Sequence, residues 1–190
     1  MAFLKSLRYS LYIIFHPFDG FWDLKREGRG SLWAAHLLVA LTILVSVAQK
    51  LNTAVIFNDY FGETISLLME AASVLFLLCL WCSVNWCVTT LLDGEGTFRD
   101  IYMYSAYALT PYILLQTLQI FLSHFLSFDE AGLLTVISAL SAIWVVGLFF
   151  FGTLVTHDFS LGKTVGVVIL ILASIVVVLF VGLLLVYVIQ

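Results

Sequence analysis

The chain has 190 residues, of which 63% are hydrophobic and only 11% charged, with a formal net charge of -4. Its mean hydropathy of +1.11 leaves too little polar surface to cover a water-soluble globule. There is room for one helical bundle and for no separate soluble domain.

The first thirty residues read as a cytoplasmic amphipathic segment, residues 1–30. Phe3, Leu4, Leu7, Leu11, Ile14 and Phe15 recur at helical spacing, with Lys5 and Arg8 away from most of that stripe. Such a helix is expected to lie at the headgroup boundary. Pro17 disfavours helical geometry at His16 and interrupts it. A second short turn over residues 18–24 returns bulky aromatics, Trp22 among them, to the interface. Lys25, Arg26 and Arg29 follow as a basic stop. A membrane-anchoring collar is favoured over a dedicated partner-docking surface.

Five long apolar stretches follow, at about residues 31–51, 65–92, 101–125, 132–156 and 165–189. Each meets the ~20 residues a helix needs to cross the ~30 Å hydrocarbon layer. The expected fold is therefore all-α: five transmembrane helices over residues 31–190 behind an N-terminal amphipathic interfacial helix. Lys5, Arg8, Lys25, Arg26 and Arg29 precede the first stretch, Arg99 lies between the second and third, and Lys163 between the fourth and fifth. The other side receives only Lys50. Lys/Arg asymmetry of this kind places the N-terminus in the cytoplasm and Gln190 outside. Small residues at Ser46 and Ala48 suit a signal-peptidase site, but the long preceding segment, with its aromatics and acids, argues against cleavage.

The second stretch carries the most unusual residues. At about 100° per residue, Ser66, Glu70, Ser73, Trp81 and Asn85 fall within about 60° of Glu70. A polar stripe facing lipid would go unsatisfied, so it should look into the bundle. Glu70 is then either a functional proton or cation ligand or a structural acid reaching water or Lys50. His36, near the inner end of the first stretch, reads as a hydrogen-bonded structural histidine. Cys79, Cys82 and Cys87 all fall in the second stretch and read as small hydrophobes.

Among the connections, 52–64 is the longest outside and carries no strong motif. The Asp93-Gly94-Glu95-Gly96 turn is expected to use its glycines for positive φ. Thr97 and Asp100 stand at capping-box spacing. Pro111 should loosen the third stretch, giving either a structural bend with an interface-anchoring set of charges, the favoured reading, or a polar pocket beneath the inner surface. Four elements are expected to converge there: Asn85 and Trp86 with Asp93, Arg99 with Asp100, Tyr107 through Pro111, and His157 through Lys163.

Gly162-Lys163-Thr164 superficially ends a nucleotide-binding loop, but His157 stands where the pattern needs glycine. No metal site, cofactor or catalytic constellation is readable.

With these motifs in hand, the chain resembles the Yip domain (Ypt/Rab-interacting protein) family, closest to its prokaryotic branch. The likeness rests on His16-Pro17-Phe18-Asp19-Gly20-Phe21-Trp22-Asp23-Leu24 and on Asn85-Trp86 leading to Leu91-Leu92-Asp93-Gly94. Tyr107-Ala108-Leu109-Thr110-Pro111-Tyr112 and His157 through Lys163 continue it. The resemblance implies five helices, a cytoplasmic N-terminus and a bacterial plasma membrane. Eukaryotic members are associated with Rab GTPases, a role not carried over because their acidic-Leu-Tyr-Gly-Pro segment is absent.

The functional expectation is a non-enzymatic scaffold or accessory subunit. It docks membrane or cytoplasmic proteins, a transporter complex among the candidates, through Trp22, Asn85, Trp86, Asp93, Arg99, Tyr107, Pro111, His157 and Lys163. No nucleic acid is expected. The alternative is a small-solute or ion transporter along the Glu70–Asn85 stripe, which also predicts homo-oligomers.

Overall fold

The computed structural model describes residues 2–58 and 66–189. Residues 59–64 of the expected outer loop, the start of the second apolar stretch at Ile65, Met1 and Gln190 lie outside the described residues. The described chain forms eight α-helices: α1 (Ala2–Phe15), α2 (Pro17–Arg26), α3 (Leu32–Asn52), α4 (Leu67–Leu91), α5 (Phe98–Ala108), α6 (Thr110–Ser123), α7 (Ala131–His157) and α8 (Leu161–Ile189). No strand occurs among the described residues.

Four segments have the length and hydropathy to cross a membrane: Leu32–Asn52, Leu67–Leu91, Phe128–His157 and Leu161–Val188. Between 11% and 28% of their most apolar windows is buried inside the protein. Most of their apolar surface thus points outward, the opposite of a helix in a water-soluble core. α8 is the extreme case, with Val176 through Val188 exposed almost throughout.

The third apolar stretch is built differently. It is divided at Leu109 into α5 and α6, neither long enough alone. Pro111 is the second residue of α6 and has no amide to give the Tyr107 carbonyl. Thr110 Oγ1 donates to that carbonyl instead (2.7 Å).

His16 interrupts the N-terminal helix as expected, and α2 starts with Pro17 at its first position. The face α1 turns inward lies mostly off the apolar stripe expected to meet the headgroup boundary. Ser6, Ser10, Ile13 and Ile14 are buried, whereas Leu11 and Phe15 are exposed. Ser6 faces inward because it finds partners there, described below, while Ser10 donates to the Leu7 carbonyl of its own helix. α1 and α2 fold back on each other as a helical hairpin, with Gly20 so close to Ile13 that an added Cβ would come within 2.7 Å of its side chain. α2 then lies along α7, α6 packs on α7 and α3, and α4 on α8 and α5.

Helix ends are fixed locally. Thr97 and Asp100 form a reciprocal capping box at the start of α5. Positive φ falls on Asp93 (57°) and Asp158 (55°), not on Gly94 or Gly96 as the sequence suggested. The amide of Gly94 returns to the Thr89 carbonyl (2.8 Å) and that of Phe159 to the Leu154 carbonyl (3.1 Å). These bonds satisfy carbonyls otherwise left open at the ends of α4 and α7. The two glycines serve a different purpose.

Candidate functional site

That purpose is the seat of His157. A Cβ on Gly94 would lie 2.6 Å from its Nδ1, and one on Gly96 would lie 2.7 Å from its Cε1. His157 Nδ1 accepts the amide of Gly96 (3.2 Å), which leaves the ring proton on Nε2. The ring stacks on Phe159 with centroids 5.5 Å apart. Lys163 Nζ donates to the Leu92 carbonyl (2.7 Å) and sits 4.2 Å over the same Phe159 ring. The last residues of α4 and α7 and the start of α8 are thereby joined at one end of the bundle.

α2 brings cations to the same end. Lys25 Nζ donates to the Thr156 carbonyl (2.7 Å), a cation at the C-terminus of α7, where the helix dipole favours positive charge. Glu95 pairs with Lys25 (3.4 Å) and Arg26 (3.2 Å). Arg29 pairs with Asp23 (3.0 Å) and Glu27 (2.6 Å). Tyr9 donates to Asp23 (2.7 Å). Burial, together with that carboxylate, pushes the Tyr9 phenol well above its ordinary range, so it remains a donor.

Beneath this surface lies a layer of buried polar contacts. Asn85 Nδ2 donates to Tyr104 Oη (2.9 Å) and to Thr153 Oγ1 (3.4 Å), and these two oxygens are 3.0 Å apart. Gly152 admits the Tyr104 ring, since a Cβ there would fall 2.3 Å from Cδ2. Nearby, Tyr107 Oη accepts the amide of Ser31 (3.2 Å) and stands 2.6 Å from Ser6 Oγ. Ser6 in turn donates to the Arg29 carbonyl (3.0 Å). Tyr107 therefore donates to Ser6, a relay joining α1, α5 and the entry to α3.

The expected docking residues divide into two groups. Trp22, Trp86, Asp93, Arg99 and Lys163 are exposed, whereas Asn85, Tyr107, Pro111 and His157 are buried. The second group braces the face from inside and cannot touch a partner directly. Tyr104 and Thr153 escaped sequence reasoning, which presents Lys25 and Glu95 only as parts of the basic stop and of a turn, and Gly152 only as a close-packing glycine. Only the glycine inside an apolar run hinted at a close approach.

Where these elements meet, the crevice among Phe21, Lys25, Asp100 and Thr156 is too narrow for water. A cavity of about 380 Å³ does border the α5–α6 break, on its other side. Leu109 and Tyr112 reach it from the break, and Glu70, Ser73 and Trp81 from α4. Glu70 is paired with Lys50 (2.5 Å) and also accepts from Ser46. Asn85 is sealed from this cavity by its bonds to Tyr104 and Thr153. His36 Nδ1 meets Tyr102 Oη (2.5 Å), a structural contact. The three cysteines are free thiols. Among the described residues no three His, Cys, Asp or Glu side chains gather in a metal-binding group.

A model of the Yip1 domain matches residues 11–184, nearly the whole chain. The chain belongs to the Yip1 domain family. The match runs from the last turn of α1 through most of α8, so it includes α2 along with the long apolar helices. Compared with curated proteins and with solved structures, the chain shows no significant match. This Yip1 domain protein is thus an all-helical, membrane-embedded member of its family.

Proposed function

We propose that this Yip1 domain protein is a non-enzymatic scaffold or accessory subunit of a bacterial plasma membrane, docking other proteins through its cytoplasmic face. One observation carries the reading: Trp22, Trp86, Asp93, Arg99 and Lys163 are exposed, while His157, Tyr107 and Asn85 are buried in hydrogen bonds that join neighbouring elements. Aromatic and arginine groups on a rigid support suit partner anchoring, and the charges set register. The docked partner is another membrane or cytoplasmic protein, a transporter complex included.

The arrangement in the bilayer is part of the same proposal. α5 and α6 act in series as a fifth crossing beside α3, α4, α7 and α8. The N-terminus is cytoplasmic, as the Lys/Arg distribution requires, and the C-terminus is outside. The α1–α2 hairpin enters the inner leaflet tip first, with Leu11, Phe15 and Phe18 exposed to acyl chains and Lys5, Arg8, Arg26 and Arg29 left at the headgroups.

Purification from gentle detergent after crosslinking in native membranes tests the docking role. A reproducible heterologous partner, lost on the combined Trp22→Ala and Arg99→Ala substitution, is the expected result. No partner, or one indifferent to those changes, overturns it.

A second reading, solute or ion transport by an oligomer, is favoured by the cavity that Glu70, Ser73 and Trp81 share. That cavity stops at the edge-on Trp81–Phe149 pair, with centroids 4.9 Å apart. Flux through reconstituted vesicles that falls in Glu70→Gln would support transport, and equal flux in both proteins would remove it.

A further inference from the structure

The cavity at the α5–α6 break has a two-part character that docking does not use. Its walls are Val74, Leu77, Leu78, Trp81, Leu109 and Phe149. At its mouth stand Glu70, Ser46 and Tyr112, with the Lys50 ammonium 2.5 Å from the Glu70 carboxylate. A second, polar cleft of about 240 Å³ adjoins it, sharing Ser46 and lined by Gln49, Lys50, Thr53, Asn58 and Gln119. The apolar chamber leads to a polar vestibule at the end of the bundle away from the Lys25–Glu95 cluster.

The sequence explains why the chamber exists. The third apolar stretch is interrupted at Leu109, and α4 packs on α3, α5 and α8. Room is left between them along the outer half of α4. Ser73 and Leu77 line that room and are themselves exposed, so the chamber opens sideways. In a membrane such an opening meets acyl chains. Water has few polar partners on these walls and would not fill them stably.

We propose that this chamber holds one acyl chain of a bilayer phospholipid whose zwitterionic headgroup lies against Lys50 and Glu70. The volume falls within the ~300–1,000 Å³ range of small-molecule sites, and apolar walls with a few convergent polar groups match their usual chemistry. Charge complementarity selects the head. A purely anionic headgroup would face the Glu70 carboxylate and a purely cationic one the Lys50 ammonium, whereas a zwitterion presents an opposite charge to each. The proposal rests on the spanning arrangement above and is independent of the docking role.

The test uses the full chain in vesicles of phosphatidylcholine carrying a trace of phosphatidylcholine with a photoactivatable acyl chain. Crosslinked peptides are mapped by mass spectrometry. Labelling per residue on Val74, Leu77, Leu78, Trp81 and Phe149 should exceed that on the lipid-facing side of α8 (Val176 to Leu184) at least about fivefold. Val74→Trp, which fills the chamber from one wall, should bring it down to the α8 level while leaving α8 labelling unchanged. A phosphatidylglycerol probe of the same chain should label the chamber several-fold less. Chamber labelling equal to that of α8, or unaffected by Val74→Trp, overturns the site. Equal labelling by the two probes overturns the headgroup assignment. Because α8 reports insertion in every sample, failure of the site is distinguishable from failure of the spanning arrangement.

Discussion

The indole Nε1 of Trp144 donates a 3.2 Å hydrogen bond to the backbone carbonyl of Ile14, and the Phe15 ring meets the same indole edge-on at 6.2 Å. Trp144 is equidistant from the two ends of α7, a helix long enough to cross the membrane. Thr156, whose carbonyl is held by Lys25 near the end of α2, lies about 18 Å further along at ~1.5 Å per residue. The closed end of the α1–α2 hairpin therefore sits well above its charged base. Phe15 at that end is 72% exposed.

Depth measurements should find the hairpin tip in lipid. A fluorophore on a cysteine replacing Phe15 is expected to be quenched by spin-labelled acyl chains and shielded from aqueous iodide. The same fluorophore at Arg26 should show the reverse. Equal iodide access at both positions would place the hairpin at the surface.

Enlarging Gly152 should destabilise the protein through its packing. A Cβ already falls 2.3 Å from the Tyr104 ring, and both residues are buried. Gly152→Val overpacks a site with no slack, at a cost of ~1–3 kcal/mol. Thermal unfolding in detergent should show a lowered midpoint. Gly147→Val, at a glycine with open space around it, should leave the midpoint close to wild type.

Tyr107→Phe removes the hydroxyl that links Ser6 to the amide of Ser31. Leaving these groups without that partner is expected to cost ~1–3 kcal/mol. The loss should be local, because the rest of the Tyr107 ring still packs. Hydrogen exchange should speed up in α1 and at residues 29–31, with α8 unchanged.

The ion pairs around Glu95 should differ in weight. Lys25 is 14% exposed and also caps Thr156, whereas Arg26 is 50% exposed and bonds Glu95 alone. Arg26→Gln should change stability by ~1 kcal/mol or less and lose its effect in high salt. Lys25→Met should cost more and remain costly in salt, because a helix-end carbonyl loses its donor. Equal effects of the two substitutions would mean that the Thr156 contact contributes nothing.

The long helices were legible because a bilayer demands length and hydropathy, and both are local properties of a sequence. α3, α4, α7 and α8 fall within a few residues of the expected stretches. The family was legible too, through motifs such as His16-Pro17 and Tyr107 through Pro111. Pro111 pointed to a weakened helix, but the cavity beside it proved apolar and opened toward Glu70. Its contents depend on which helices flank the break, and that information is non-local. The same holds for α1, where Ser6 faces inward because Tyr107, far along the chain, offers a partner. Gly94 and Gly96 suggested a turn through their backbone freedom, yet their role is to admit His157. In each case a contact between distant residues overrode the local signal.

The central claim is an odd number of crossings that leaves the face bearing His157 in the cytoplasm. The most direct measurement is labelling of single cysteines by a membrane-impermeant maleimide, in a protein whose Cys79, Cys82 and Cys87 are replaced. In intact cells, cysteines at Ser127 and Tyr187 should be labelled, while one at Asp93 should react only after the membrane is opened. Labelling of the Asp93 position in intact cells would contradict this layout.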